Sequence, residues 1–124
     1  MTRRIALISE HASPLAVLGG IDAGGQNVYV AQVARNLAAQ GDLVDVYTRR
    51  DDPSLPVVVD GGPGFRVINV PAGPAIPIPK ERLLEHMPEF VRWMARDWTS
   101  RGRRYDVVHA NFFMSGQVLS LIHI

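Results

Sequence analysis

Between residues 19 and 29 the sequence runs Gly19-Gly20-Ile21-Asp22-Ala23-Gly24-Gly25-Gln26-Asn27-Val28-Tyr29. Adjacent glycines ahead of a helix leave backbone N–H groups bare, with no Cβ to obstruct an approaching phosphate. The helix dipole adds about half a positive charge at the same point. Binding an anionic group, above all a diphosphate, is the chemistry such a loop can serve. The alternative is a turn that only lets a strand and a helix pack closely, and the glycines alone leave both open. Two familiar phosphate motifs are absent. The loop lacks the G-x-G-x-x-G spacing of dinucleotide sites, and no G-K-[ST] tripeptide occurs anywhere.

Other polar candidates are few. His11 follows the first apolar run, where it can touch sugar or phosphate or simply sit on the surface. His109 closes the fourth apolar run and reads as a hydrogen-bonded core histidine ahead of a catalyst. His86 and His123 have no ligand spacing with either, and no Asp-x-Asp occurs, so no metal site is expected. Asp22 is placed to cap the helix that follows it. Trp93 and Trp98 belong to an apolar helical stripe, Trp98 as a core residue.

Stepping along the chain gives the elements that must hold these residues. Ile5-Ala6-Leu7-Ile8 reads as a buried strand, and a loop from Ser9 to about Gln26 follows. Val30, Val33, Ala34, Leu37 and Ala38 recur at helical spacing, with Gly41 as the C-cap glycine. Residues 43–48 form the next strand, completing a right-handed βαβ unit with parallel strands. Asp51 to Gly64 is turn-rich, and Phe65–Val70 is a third strand. Pro71 to Pro79 holds four prolines and is irregular. Leu83, Leu84, Met87, Phe90, Val91, Met94 and Trp98 then trace a helical stripe interrupted by Pro88. A short helix, a break and a second helix are expected there. Tyr105–His109 is the fourth strand, and an apolar helix begins at Ser115. The class is α/β, a Rossmann-like doubly wound parallel sheet with its loop at the carboxyl ends of the strands.

The 124 residues make one domain. Thirteen basic against 12 acidic side chains leave a net charge of +1, which gives no electrostatic footprint for nucleic acid or an acidic membrane. The arginine pairs 3–4, 49–50 and 103–104 are scattered and read as solvated flanks. With no cysteine, disulfides, thiolate zinc sites and cysteine nucleophiles are excluded. Ile5–Ile8 is too short for a signal segment or a membrane span, so a soluble, cytoplasmic protein without a transmembrane segment is expected. The last helix has no following strand, and truncation is the simplest account. Residues 1–118 are therefore expected to be part of an N-terminal domain. Residues 119–124, which look like translated sequencing-adaptor DNA, are set aside as a non-native tail without function.

Several ordered stretches together carry a resemblance: Ser13-Pro14-Leu15, Asp22 to Val30, Val44 to Arg49, Arg66 to Pro74 and Tyr105 to His109. Between about Arg4 and Val118 the chain resembles the family-4 retaining glycosyltransferases of GT-B architecture. Its motifs are most similar to the mycothiol-pathway and sucrose-phosphate synthase groups. The resemblance implies two facing Rossmann-like domains, the N-terminal one binding acceptor and the missing C-terminal one gripping a nucleotide sugar. It implies glycosyl transfer with retention to a small acceptor, a sugar or inositol phosphate, with no cofactor and no metal. Gly24 and Gly25 match the donor-diphosphate loop, and Gln26, Asn27, Lys80 and Asn111 match acceptor-binding positions; no catalytic residue is identified. Asn111 and Phe112 stand where relatives often carry His and Tyr. Asn111 can bond a sugar hydroxyl but cannot carry a proton, and Phe112 lacks a hydroxyl.

Two other functions fit a Rossmann-like chain. One is a nicotinamide-dependent oxidoreductase, with Arg49 and Arg50 after the second strand taking a 2′-phosphate, against which the missing fingerprint counts. The other is a noncatalytic sugar-phosphate binding module.

Overall fold

The structure, a computed structural model, describes residues 2–9, 25–76, 78, 80–100 and 105–110. Its strands are β1 (Arg4–Ile8), β2 (Leu43–Arg49), β3 (Val58–Gly62), β4 (Phe65–Val70) and β5 (Val107–Ala110). The helices are α1 (Gly25–Ala39), a 3-10 helix (Lys80–His86) and α2 (Met87–Ser100). The 10–24 loop, the expected Asp22 cap, Arg103-Arg104, the helix expected from Ser115 and the 119–124 tail lie outside the described residues.

The strands form one sheet in the order β3-β4-β2-β1-β5. β1 pairs in parallel with both β2 and β5, and β2 pairs in parallel with β4. Branched apolar residues fill the central strands because both faces are covered. On one face Ile5, Leu7, Val44, Val46, Phe65 and Val67 pack under Val30 and Ala34 of α1. On the other, Ala6, Ile8, Tyr47, Ile68 and Val70 pack under Leu83, Met87, Phe90 and Met94. Helices on both faces of a mainly parallel sheet make the fold doubly wound and Rossmann-like, as the sequence implies.

Helix α1 stops where the sequence places its stop. The N–H of Gly41 bonds the carbonyl of Ala38 and the N–H of Asp42 bonds that of Leu37, the paired bonds of a Schellman end. Gly41 has φ 98°, a left-handed value that glycine adopts without a Cβ penalty.

Strand β3 lies within the turn-rich stretch from Asp51 to Gly64, where the sequence reading placed no strand. It pairs antiparallel with β4, Val58 opposite Ile68 and Val59 opposite Val67, with a register shift between Asp60 and Gly62. Its valines lie between prolines and glycines that mark turns, and only pairing with β4 makes an edge strand of them. The helical stripe runs without the expected break, and Leu84 within it is exposed. A 3-10 segment ends at His86 and α2 begins at Met87, with Pro88 in its first turn, where a missing N–H costs nothing.

A part-buried polar network ties β2 to β4, to α2 and to the segment before β5. Arg66 Nε and Nη2 donate to the Asp45 carboxylate at 2.8 and 2.9 Å, and the Tyr105 hydroxyl donates to Asp45 Oδ2 at 2.7 Å. The Tyr47 and Tyr105 hydroxyls lie 2.7 Å apart, and Trp98 Nε1 donates to the Tyr47 oxygen at 2.9 Å. Trp98 is partly buried against the core and held by its one polar atom.

Candidate functional site

Parallel strands end on one edge of a sheet, and in this fold that carboxyl edge is where ligands bind. Four parallel strands end there among the described residues. β1 ends at Ile8, with the Ser9 N–H bonded to the carbonyl of Tyr47 at 2.9 Å. β2 ends at Arg49, β4 at Val70 and β5 at Ala110.

Some of the sequence-derived candidates lie among the described residues. Gly25, Gln26 and Asn27 form the first turn of α1, on one face of the sheet. Lys80 opens the 3-10 helix, on the opposite face. The sheet lies between these two helices. Gly24, His11 and Asn111 lie outside the described residues.

His109 requires a correction. It sits in β5 opposite Leu7 and is exposed, not a satisfied core histidine. β5 is an outer strand whose only strand neighbour is β1 among the described residues, so its faces lack the cover that central strands receive.

Beneath the edge on the α1 face lies a row of buried polar residues, Ser9, Thr48 and Asn69. Thr48 stands opposite Asn69 in the sheet. Asn69 Nδ2 donates to the carbonyl of Pro56 at 2.8 Å and its backbone N–H to that of Val57 at 2.6 Å, fixing the segment before β3.

Arg49 is the residue that sequence reasoning missed. It is 5% exposed, not a solvated flank. Its Nε donates to the carbonyl of Ala72 at 2.8 Å, Nη1 and Nη2 each donate to that of Ile76 at 3.0 Å, and Nη2 also donates to that of Pro74. Burial pulls its pKa down, against the more distant Asp51 and Glu89. From the other side Glu89 accepts the Gly73 N–H at 2.9 Å. The proline-rich connection is thus gripped by a cation on its carbonyls and an anion on an amide. Arg50 likewise donates to the carbonyls of Leu55 and Pro53 at 2.9 and 2.6 Å. Both guanidiniums are engaged on backbone carbonyls, which lends the oxidoreductase reading's 2′-phosphate site no support.

A depression of about 840 Å³ lies at the amino end of the sheet, lined by Arg4, Asp45, Asp60 and Arg66 among others. It is remote from the glycine-led helix and Lys80, and the strand-end argument favours the carboxyl edge over it. Among the described residues no three His, Asp or Glu side chains gather as a metal site, and no helix is long and apolar enough to cross a membrane.

A doubly wound sheet with a glycine-led helix after its first strand defines a Rossmann-like domain. Residues 24–123 match the glycosyl transferase 4-like domain, and the chain belongs to that family. It is 46% identical over 118 residues to a D-inositol 3-phosphate glycosyltransferase of Corynebacterium diphtheriae, covering 95% of this chain and 28% of that protein. The corresponding protein of Acidothermus cellulolyticus is 46% identical over 117 residues, covering 94% and 26%. A solved sucrose-phosphate synthase from Thermosynechococcus elongatus superimposes with TM-score 0.85 and 39% identity, covering 98% of this chain and 30% of that one. The chain thus spans under a third of the length of these relatives. The nicotinamide reading has no support among them.

Proposed function

We propose that this chain is the acceptor-side domain of a GT-B retaining glycosyltransferase, which moves a glycosyl group from a nucleotide sugar to a phosphorylated sugar or inositol phosphate. The observation that carries the reading is the 46% identity to a D-inositol 3-phosphate glycosyltransferase across 95% of the chain. The share of that relative left uncovered has room for the second domain, which would grip the nucleotide.

In this reading the backbone N–H groups of Gly24 and Gly25 face the donor diphosphate. Negative charge grows there as the glycosidic bond breaks, and preformed donors stabilise it more in the transition state than in the ground state. Gln26, Asn27 and Asn111 bond acceptor hydroxyls, and Lys80 pairs with the acceptor phosphate. The acceptor hydroxyl attacks the face that the diphosphate leaves, so no protein nucleophile, metal or cofactor is required. His11 and His109 stand near enough in sequence to the edge to take part in acceptor binding, and exposure of His109 leaves it accessible.

The test is a panel of radiolabelled nucleotide sugars offered with inositol phosphates and sugar phosphates. An enzyme of the relatives' length should transfer label, and the 124-residue chain alone should not. Failure with every pair would remove the glycosyltransferase reading. Turnover by the chain alone would remove the two-wall cleft.

A further inference from the structure

The connection from Pro71 to Pro79 carries prolines at 71, 74, 77 and 79, which lack N–H groups. Such a segment cannot form a ladder, and any carbonyl it turns inward needs a donor from elsewhere. Arg49 supplies the donors for Ala72, Pro74 and Ile76, alternate residues of the segment. No described carboxylate forms an ion pair with Arg49. Burying a cation against neutral carbonyls is costly, and packing alone would be served as well by an apolar side chain. What the guanidinium provides, and an apolar side chain would not, is a fixed path for the chain.

That path leads to Lys80. Ile76, the last carbonyl held by Arg49, is four residues before it, and Ile78 between them packs onto the core under α2. Gly73, midway along the clamped stretch, is tied to Glu89 of α2.

We propose that Arg49 is a positioning residue for the acceptor: by gathering the carbonyls of Ala72, Pro74 and Ile76 it fixes the connection that delivers Lys80 to the carboxyl edge. The inference rests on the reading of Lys80 as the ligand of the acceptor phosphate. It assigns to Arg49 an effect on acceptor affinity without contact with the acceptor.

The test uses Arg49→Met and Arg49→Lys in the full-length enzyme. Arg49→Met should raise the KM for inositol phosphate about tenfold, leaving kcat and the nucleotide-sugar KM within about twofold, with Arg49→Lys intermediate. Glu89→Gln, at an exposed position, loosens the same connection from outside and should raise the acceptor KM about threefold. It covers the case in which Arg49→Met does not fold. Hydrogen exchange gives a readout independent of turnover. In the wild type, inorganic phosphate should slow exchange of amides 80–86; in Arg49→Met, exchange from 73 to 86 should be faster and phosphate should no longer slow it. An unchanged acceptor KM, an equal rise in both KM values, or unaltered exchange would overturn the proposal. If the wild type transfers no sugar, the glycosyltransferase reading falls. The exchange experiment then still decides the role of Arg49: loss of phosphate protection in Arg49→Met upholds it, and absence of protection in the wild type refutes it.

Discussion

The imidazole of His86 occupies the space that a Cβ on Gly73 would need: an ideal Cβ there lies 2.6 Å from His86 Nδ1 and 2.9 Å from its Cγ. Gly73 also has φ 71°, in the left-handed region. Gly73→Ala therefore adds backbone strain of about 1–2 kcal/mol and pushes the His86 ring aside. The expected outcome is a lower urea midpoint at unchanged m-value, with the 3-10 helix that begins at Lys80 exchanging faster. A midpoint equal to wild type would show that the connection yields freely.

Tyr47 links β2 to α2 through its hydroxyl, which accepts from Trp98 Nε1 and contacts the Tyr105 hydroxyl and Asp97 Oδ2. The Tyr47 hydroxyl donates to Asp97 Oδ2 and Tyr105 donates to Asp45, so the one Tyr47 hydrogen is shared between Asp97 and Tyr105. Tyr47→Phe keeps the ring and removes these bonds, leaving the Trp98 donor without its acceptor. The expected loss is about 1–3 kcal/mol by denaturant titration. A double-mutant cycle with Trp98→Phe should show coupling, and strict additivity would contradict the link.

Asp42 gives a pH dependence of known sign. Hydrogen bonds from Arg3, at 3.2 and 3.0 Å, hold its carboxyl below the usual range, against a contrary push from burial. A carboxylate with a depressed folded pKa contributes stability that is present above the unfolded value of about 3.9 and lost as pH falls through the folded one. Asp42→Asn should lie below wild type in Tm near neutrality and converge with it in acid. Arg3 is half exposed, so the difference should shrink in high salt. Parallel curves at all pH values would contradict the pairing.

Much of the fold is legible in the residues. Ile5–Ile8 and Leu43–Thr48 are branched apolar runs flanking a helical stripe with a glycine stop, and local pattern agrees with tertiary structure there. The run at 65–70 coincides with β4. β3 is hidden because its valines sit amid turn residues, and only the partner strand reveals it. The site is less legible. Glycines ahead of a helix after a strand mark the edge, but nothing local to Arg49 says that it is buried. Its burial depends on a connection more than twenty residues later folding back over β2. One signal does exist: a segment with four prolines has carbonyls that must find outside donors. His109 misleads for the opposite reason, since an apolar strand pattern does not reveal which strand lies outermost.

Lys80 carries the acceptor side of the account. In the full-length enzyme, Lys80→Ala should raise the KM for a phosphorylated acceptor and leave the nucleotide-sugar KM nearly unchanged. Loss of a charge-assisted contact costs about 1.5–3 kcal/mol, or roughly tenfold to a hundredfold in acceptor efficiency. A surface lysine paired only with a nearby glutamate would contribute a few tenths of a kcal/mol at most. Steady-state kinetics with matched phosphorylated and unphosphorylated acceptors separates the two. An equal loss with both acceptors, or none with either, would remove the phosphate role.

The most direct test of the central claim is proton NMR of the anomeric signal while the full-length enzyme consumes an α-linked nucleotide sugar in the presence of an inositol phosphate. The account expects a new anomeric doublet with the small coupling of an α-linkage, appearing as the donor signal declines and only when the acceptor is present. A β-linked product, or donor loss that yields free sugar whether or not acceptor is added, would contradict it.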